Sequence, residues 1–180
     1  MRKELVKKSK FLSLILRHNP GKVGIELDEA GWVDVALLLA AVQKRQRDFT
    51  REVLEEVVAT NDKRRFVFSD NGKRIRAAQG HSIGVDLGLA PTVPPDLLYH
   101  GTAEGNLESI RQHGLIRGAR DHVHLSKDAE TATRVGQRHG RPVVLIVGAA
   151  RMVQAGHTFY LSDNGVWLTA AVPVEFIEFP

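Results

Sequence analysis

Apolar residues recur at helical spacing near the start of the chain, and they predict a helix over residues 2–18 that ends before Pro20. A leucine- and alanine-rich stretch predicts a second helix near 34–46, and Thr50 is the expected N-cap of a third near 51–59. The apolar face of the first helix is expected to carry Leu5, Leu12, Ile15 and Leu16.

A β-hairpin is predicted after these helices. Residues 65–69 and 73–77 alternate between apolar and polar side chains, and Asp70-Asn71-Gly72 supplies the turn between them. Three helices followed by a hairpin are typical of a winged helix. Many nucleic-acid binders have this layout, although the fold alone does not establish a function.

The chain is predicted to fold as two lobes of the α+β class, covering residues 1–83 and 99–180. Residues 84–98 are the expected linker, because they carry little charge and contain Pro91, Pro94 and Pro95. The second lobe alternates short strands with helices. Its first predicted strand ends at His100, and the later predicted strands span 122–126, 142–147, 166–169 and 174–177. Its predicted helices span 104–112 and 128–139.

Charge is distributed unevenly between the two halves of the 180-residue chain. Residues 1–90 have 17 basic and 12 acidic residues, a balance of +5, whereas residues 91–180 have 8 and 9, a balance of −1. A basic first half is expected if that half meets a polyanion such as RNA, and a solvated basic surface is the alternative.

The chain has no cysteine, which excludes disulfides, thiolate catalysis and cysteine-ligated zinc. No stretch approaches the roughly 20 apolar residues of a membrane span, and the apolar run near the N-terminus is too short for a signal peptide. We therefore expect a cytoplasmic monomer with no membrane partner.

Several familiar catalytic devices are missing from the sequence. It contains no phosphate-binding GxxxxGK[ST] loop, no GxGxxG and no GxSxG. His122 and His124 share a strand face, but no third ligand follows at recognisable spacing, so no metal is expected. Arg17 and His18 lie in the last helical turn, where cations also complement the helix dipole without any further function.

Three segments of the second lobe carry a further signal. They are Tyr99–Thr102, His122–Ser126 and Asn164–Thr169. These segments resemble the strands that hold NAD in ADP-ribosyltransferases. In that fold the third segment usually supplies a glutamate, whereas this chain has Val166. A substrate that is already ionised would not need that carboxylate as a base.

The first lobe carries three matching motifs, Phe11–His18, Lys63–Phe66 and Arg74–Ser82. Together, these motifs and the three segments resemble the tRNA 2′-phosphotransferase family over essentially the whole chain. The resemblance implies an NAD-dependent transferase that removes an internal 2′-phosphate from spliced tRNA or similar RNA. Its expected partners are that RNA and NAD, which serves as a co-substrate, and no metal is required.

The resemblance also implies site residues. The catalytic set of the family falls on Arg17, His18, Arg65 and Arg120. Arg65 is chosen because it directly precedes Phe66, and Arg120 because it lies four residues before His124; Arg64 and Arg117 are the alternatives. The expected NAD-binding residues are His100, Gly101, Thr102, His124, Ser126 and Val166, and the expected RNA-binding residues are Arg74, Arg76, Gln79 and His81.

The residue types suit this chemistry independently of the resemblance. Arginine holds two oxygens of a phosphate at once and keeps its charge, and histidine moves protons near neutral pH. Two other functions stay open: ADP-ribosylation of a terminal phosphate, which stops after one step, and non-catalytic binding by a winged helix. The second alternative gives no reason for Arg120 in the acidic lobe.

Overall fold

The computed structural model describes residues 3–138 and 140–180, and the chain divides into two compact units, Met1–Gly88 and Leu89–Pro180. Both units combine helices with short antiparallel strands, which confirms the α+β class. The winged-helix and ADP-ribosyltransferase-like identities stay predictions. Within the described residues, no helix is both long and apolar enough to cross a membrane.

The first unit combines helices with a small sheet. Its strands pair antiparallel in the order β1-β3-β2, and a 3-10 helix covers Pro20–Val23. The predicted helix start at residue 2 lies outside the described residues. The elements are α1 Lys3–Arg17, β1 Val33–Asp34, α2 Val35–Gln43, α3 Arg51–Ala59, β2 Phe66–Phe68 and β3 Arg74–Ala77.

Side-chain caps start the second and third helices. Asp34 Oδ1 accepts from the backbone N–H groups of Ala36 and Leu37, and Thr50 Oγ1 accepts from that of Val53. The predicted cap at Thr50 is confirmed. Helix α2 ends at Gln43 rather than near 46, because the chain turns there to bury Phe49.

The apolar face predicted for α1 is the buried one, since Leu5, Leu12, Ile15 and Leu16 all lie in the core of the first unit. Lys8 is also buried on this helix, with 7% of its surface exposed. Its ammonium pairs with Asp48 and lies 5.3 Å from the ring centroid of Phe49. These contacts explain how a lysine occupies a buried position.

The second unit contains antiparallel sheets with the orders β11-β7-β4, β6-β9-β8 and β10-β5. Residues 104–106 and 174–176 form 3-10 helices. The other elements are β4 Leu97–Ala103, α4 Leu107–His113, β5 Leu115–Ile116, β6 Val123–Leu125, α5 Ala129–Gly136, β7 Pro142–Gly148, α6 Ala149–Gln154, β8 Phe159–Leu161, β9 Trp167–Thr169, β10 Ala171–Val172 and β11 Ile177–Glu178.

Three predicted bounds in this unit are wrong. Strand β4 continues past His100 to Ala103, because β7 pairs with it along its full length. Residues 174–176 are helical, and Phe176 N–H bonds back to Pro173 O, so only Ile177 and Glu178 form a strand there. Helix α5 ends at Gly136 and residues 137–138 form a turn, whereas the prediction continued the helix to residue 139, which lies outside the described residues.

Two close contacts hold β4 in the second unit. Tyr99 and Ser126 exchange backbone hydrogen bonds of 2.9 and 2.8 Å, which place the end of β6 beside β4. On β4, a Cβ added to Gly101 would lie 1.7 Å from the backbone oxygen of Ala132 in α5. Only glycine allows this approach of helix to strand.

Candidate active site

The end of α1 brings together an arginine, a histidine and a serine. Arg17 is the last helical residue and is half-buried, and the next residue, His18, is exposed. The backbone N–H of Ser82 donates to Arg17 O at 2.9 Å, and its Oγ lies 2.8 Å from Nδ1 of His18. With His81, these residues form what we call the α1 cluster.

His81 is the buried member of the α1 cluster, with 1% of its surface exposed. Burial is the main cause that lowers the pKa of His81 to about 4, and the positive charges of Arg17, His18 and Arg76 contribute to this value. The imidazole is therefore neutral near pH 7. Neither ring nitrogen has a hydrogen-bond partner among the described residues, and the same holds for Oε1 of Gln79.

Arg65 lies in a different polar group of the same unit. Its Nη1 donates to Oδ1 of Asn61 at 3.5 Å, and Nδ2 of Asn61 donates to Oγ of Ser9 in α1 at 2.9 Å. Burial lowers the pKa of Arg65. Arg64 is exposed and has a φ of 43°, in the left-handed region. The half-buried side chain at this turn therefore belongs to Arg65.

The arginines of β3 contact Trp32. The guanidinium of Arg76 lies 4.6 Å from a Trp32 ring centroid and donates to Leu87 O at 3.2 Å. The guanidinium of Arg74 lies 5.7 Å from the ring and pairs with Asp28. The carboxylate of Asp28 balances the charge of Arg74, whereas the contact of Arg76 with the Trp32 ring leaves the charge of that guanidinium in place.

In the second unit, Arg120, His124 and His100 form what we call the strand cluster. Nη1 of Arg120 lies 2.9 Å from Nδ1 of His124. Because arginine only donates, Nδ1 of His124 is the acceptor. Nδ1 of His100 lies 3.1 Å from the backbone oxygen of His124 and must carry the hydrogen. Arg117 instead donates to Asp121 O at 3.3 Å.

His100 is neutral in this arrangement. Burial is the main cause that lowers its pKa, and the charge of Arg120 adds to it, whereas the hydrogen bond to His124 opposes both. With the hydrogen held on Nδ1, Nε2 of a neutral His100 is an acceptor. The strand cluster thus offers a permanent cation and an imidazole of fixed tautomer.

The other predicted NAD-binding residues have structural contacts of their own. Oγ1 of the buried Thr102 accepts from Nδ2 of Asn106 at 3.1 Å. Val166 closes the turn before β9, where its N–H donates to Ser162 Oγ at 3.0 Å. The β6–β9 register pairs Leu125 with Trp167, and extending it by one residue places Ser126 opposite Val166. Gly101 packs against α5, as described above.

The predicted catalytic residues thus fall into three local groups. Arg17 and His18 lie in the α1 cluster, Arg65 lies beside Asn61, and Arg120 lies in the strand cluster. Sequence reasoning missed the partners of the predicted site residues. Ser82 contacts His18, and Asn61 contacts Arg65 and also bonds to Ser9. Asn106 contacts Thr102, and Trp32 contacts Arg74 and Arg76. Ser82 alone carried a signal, because it lies within the Arg74–Ser82 motif.

His122 packs against Tyr160 with ring centroids 5.6 Å apart, in an edge-on arrangement. In residues 3–138 and 140–180 there is no group of three or more histidine and carboxylate side chains that could hold a metal ion.

Comparison with known proteins gives matches along nearly the whole chain. The model of the family described as RNA 2′-phosphotransferase, Tpt1 / KptA family, matches residues 3–171. A protein of Rhodopirellula baltica is 55% identical over 99% of this chain and 97% of its own. One of Streptomyces coelicolor is 56% identical over 97% of this chain and 95% of its own. Both are named "Probable RNA 2'-phosphotransferase".

Proposed function

Because the chain belongs to the RNA 2′-phosphotransferase family, Tpt1 / KptA type, we propose that this transferase moves an internal 2′-phosphate of RNA onto NAD. The first unit is the proposed RNA-binding lobe, with a winged-helix layout. The second unit is the proposed NAD-binding lobe, of the ADP-ribosyltransferase type. The single observation that carries the proposal is the α1 cluster, in which Arg17 and an exposed, oriented His18 are adjacent.

In the proposed first step, an oxygen of the RNA 2′-phosphate attacks the ribose carbon of NAD that bears nicotinamide. The carbon–nitrogen bond breaks, and nicotinamide leaves with the bonding electrons. The product is RNA whose 2′-phosphate carries ADP-ribose. A phosphate dianion is its own nucleophile, which is in keeping with Val166 at the position where related folds have a glutamate.

In the proposed second step, the adjacent ribose 2″-hydroxyl attacks the phosphorus. The bond to the RNA 2′-oxygen breaks, which gives RNA with a 2′-hydroxyl and ADP-ribose 1″,2″-cyclic phosphate. The proton of the attacking hydroxyl is passed on, and the RNA oxygen gains one. We assign the proton transfer to His18 and the binding of the phosphate oxygens to Arg17, Arg65 and Arg120.

The chemistry of the strand cluster fits NAD. A dinucleotide presents a negatively charged pyrophosphate, ribose hydroxyls and a carboxamide. Arg120 offers a permanent cation, and neutral His100 offers an imidazole acceptor of fixed direction. NAD would supply an electrophilic ribose carbon and a neutral leaving group. We assign the NAD contacts to His100, Thr102, His124 and Ser126.

The proposal is tested with RNA that carries one internal 2′-phosphate. Incubation with NAD should give nicotinamide, RNA with a 2′-hydroxyl and ADP-ribose 1″,2″-cyclic phosphate, identified by mass spectrometry. The same RNA without the 2′-phosphate is the control. If the final RNA product keeps ADP-ribose, the protein is a phosphate ADP-ribosyltransferase instead. If no NAD is consumed, the non-catalytic alternative is correct.

The two-step order has its own test. Loss of a group needed mainly in the second step should leave the ADP-ribosylated RNA behind. We expect at least one alanine variant among His18, Arg65 and Arg120 to accumulate this species, visible as a slower band of radiolabelled RNA that requires NAD. If none of the three variants accumulates it at early times, the two-step order is wrong.

A further inference from the structure

Two hydrogen bonds connect Ser82 with the end of α1. Its backbone N–H donates to Arg17 O at 2.9 Å, and its Oγ lies 2.8 Å from Nδ1 of His18. The first bond fixes the main chain of Ser82 at the end of α1. The second then fixes the imidazole relative to that main chain.

The segment that carries Ser82 is anchored on both sides. The preceding residue, His81, is buried, and a Cβ added to Gly31 would lie 3.3 Å from its Nε2. After Ser82, Asp86 N–H donates to Glu29 O at 2.8 Å, and Leu87 O accepts from Arg76. Ser82 is exposed, but the chain on either side of it is tied to the body of the unit.

The chemistry of a serine partner differs from that of the carboxylate that orients many catalytic histidines. A hydroxyl both donates and accepts, so it can donate to a bare Nδ1 and accept from Nδ1–H. The bond can thus persist in both protonation states of His18. A carboxylate would add a negative charge close to the substrate phosphate, which a neutral hydroxyl avoids.

We infer that Ser82 is a positioning residue, which holds Nδ1 of His18 so that the Nε2 edge of the ring is directed to the substrate phosphate. The inference rests on the proposed function. Ser82 itself makes no contact with the reacting atoms in this account. It acts only through the orientation of His18.

Ser82→Ala, Ser82→Thr and the control Ser109→Ala test the inference. Ser109 is an exposed serine of α4, outside both clusters. Ser82→Ala should lower kcat on 2′-phosphorylated RNA by about 2- to 13-fold, the usual worth of one hydrogen bond, and change KM less than twofold. Ser82→Thr keeps the hydroxyl and should restore most of kcat. Ser109→Ala should match the wild type.

A spectroscopic measurement separates this inference from the proposed function. Nitrogen-15 NMR, with His18→Ala used for assignment, should show that Ser82→Ala moves the Nδ1 signal of His18. The Nδ1 signal of His113, whose partner is the backbone oxygen of Ser109, should not move. An unmoved His18 signal, or a threonine variant as slow as the alanine variant, would overturn the inference. If the wild type lacks phosphotransferase activity, the proposed function fails, and the NMR result still decides whether Ser82 orients His18.

Discussion

Arg120 donates through Nη1 to Nδ1 of His124 across 2.9 Å. The bond fixes which nitrogen of this histidine accepts, and it brings the guanidinium close enough to His100 to help lower the pKa of that residue. The guanidinium of Arg117, three positions earlier, instead donates to the backbone oxygen of Asp121. Replacing Arg120 and replacing Arg117 should therefore have different effects on activity.

Arg120→Ala should cost far more activity than Arg117→Ala. Losing a charge-assisted contact to an ionised phosphate is worth about 1.5–3 kcal/mol, or roughly 10- to 150-fold in kcat/KM, and more if the contact strengthens in the transition state. Steady-state kinetics with 2′-phosphorylated RNA measure both variants. If Arg117→Ala is the slower enzyme, Arg117 and not Arg120 is the third phosphate-binding arginine.

Gly101→Ala should destabilise the second unit by about 3 kcal/mol or more. The added Cβ would lie 1.7 Å from Ala132 O, so α5 would have to move away from β4. Gly105→Ala is the matched control, because nothing lies within 4 Å of its added Cβ. Urea unfolding compares the two variants. Equal midpoints would contradict the close packing of α5 on β4.

Helices and the β-hairpin were predictable because their signals are local. The apolar spacing of Leu12, Ile15 and Leu16 gave α1, and Thr50 marked the start of α3. Pairing partners are not local, which is why β4 was predicted to end at His100. The seven-residue pairing of β4 with β7 decides its length, and nothing near His100 in sequence records it.

The candidate site likewise contains some residues that the sequence predicts and others that it does not. Arg17, His18 and Arg120 belong to motifs that can be read along the chain, whereas their partners come from distant positions. Ser82 lies 64 residues from His18, and Asn61 lies 52 residues from Ser9. A serine or an asparagine in a loop gives no signal of such a contact, so only the fold shows that Ser82 lies beside His18 and Asn61 beside Arg65.

Acid should weaken the first unit through His81. Its pKa is about 4 in the folded protein, and histidine titrates near 6.5 in an unfolded chain. Between these values the unfolded chain binds more protons. The stabilisation from a neutral His81 is therefore complete above pH 6.5 and is lost as the pH falls from 6.5 toward 4.

Urea midpoints at several pH values measure this effect. The free energy of unfolding should fall by up to about 1.4 kcal/mol for each pH unit in that window. His81→Gln should remove most of this dependence, because glutamine cannot take up a proton next to Arg17 and Arg76. His113→Gln, at an exposed position of α4, should keep the slope of the wild type. An unchanged slope in His81→Gln would show that other groups cause it.

Asn61 should matter to both stability and activity. It is 4% exposed, its Nδ2 donates to Ser9, and its Oδ1 accepts from Arg65. Asn61→Ala would leave the Ser9 hydroxyl without its partner, at a cost of about 1–3 kcal/mol in the free energy of unfolding. Asn61 Oδ1 also accepts from the backbone N–H of Lys63 at 3.1 Å. Asn71→Ala is the control, since Asn71 Oδ1 accepts from the backbone N–H of Lys73 at 3.0 Å, but in an exposed turn.

The effect of Asn61 on activity should pass through Arg65. If the amide only orients that guanidinium, Asn61→Ala should slow the proposed reaction less than Arg65→Ala does, and the double variant should be no slower than Arg65→Ala alone. Variants that are fully folded at the assay temperature are compared by kcat and KM. If the rate reductions of the two single variants multiply in the double variant, Asn61 acts on the reaction independently of Arg65. The contact between Asn61 and Arg65 would then not explain the effect of Asn61 on activity.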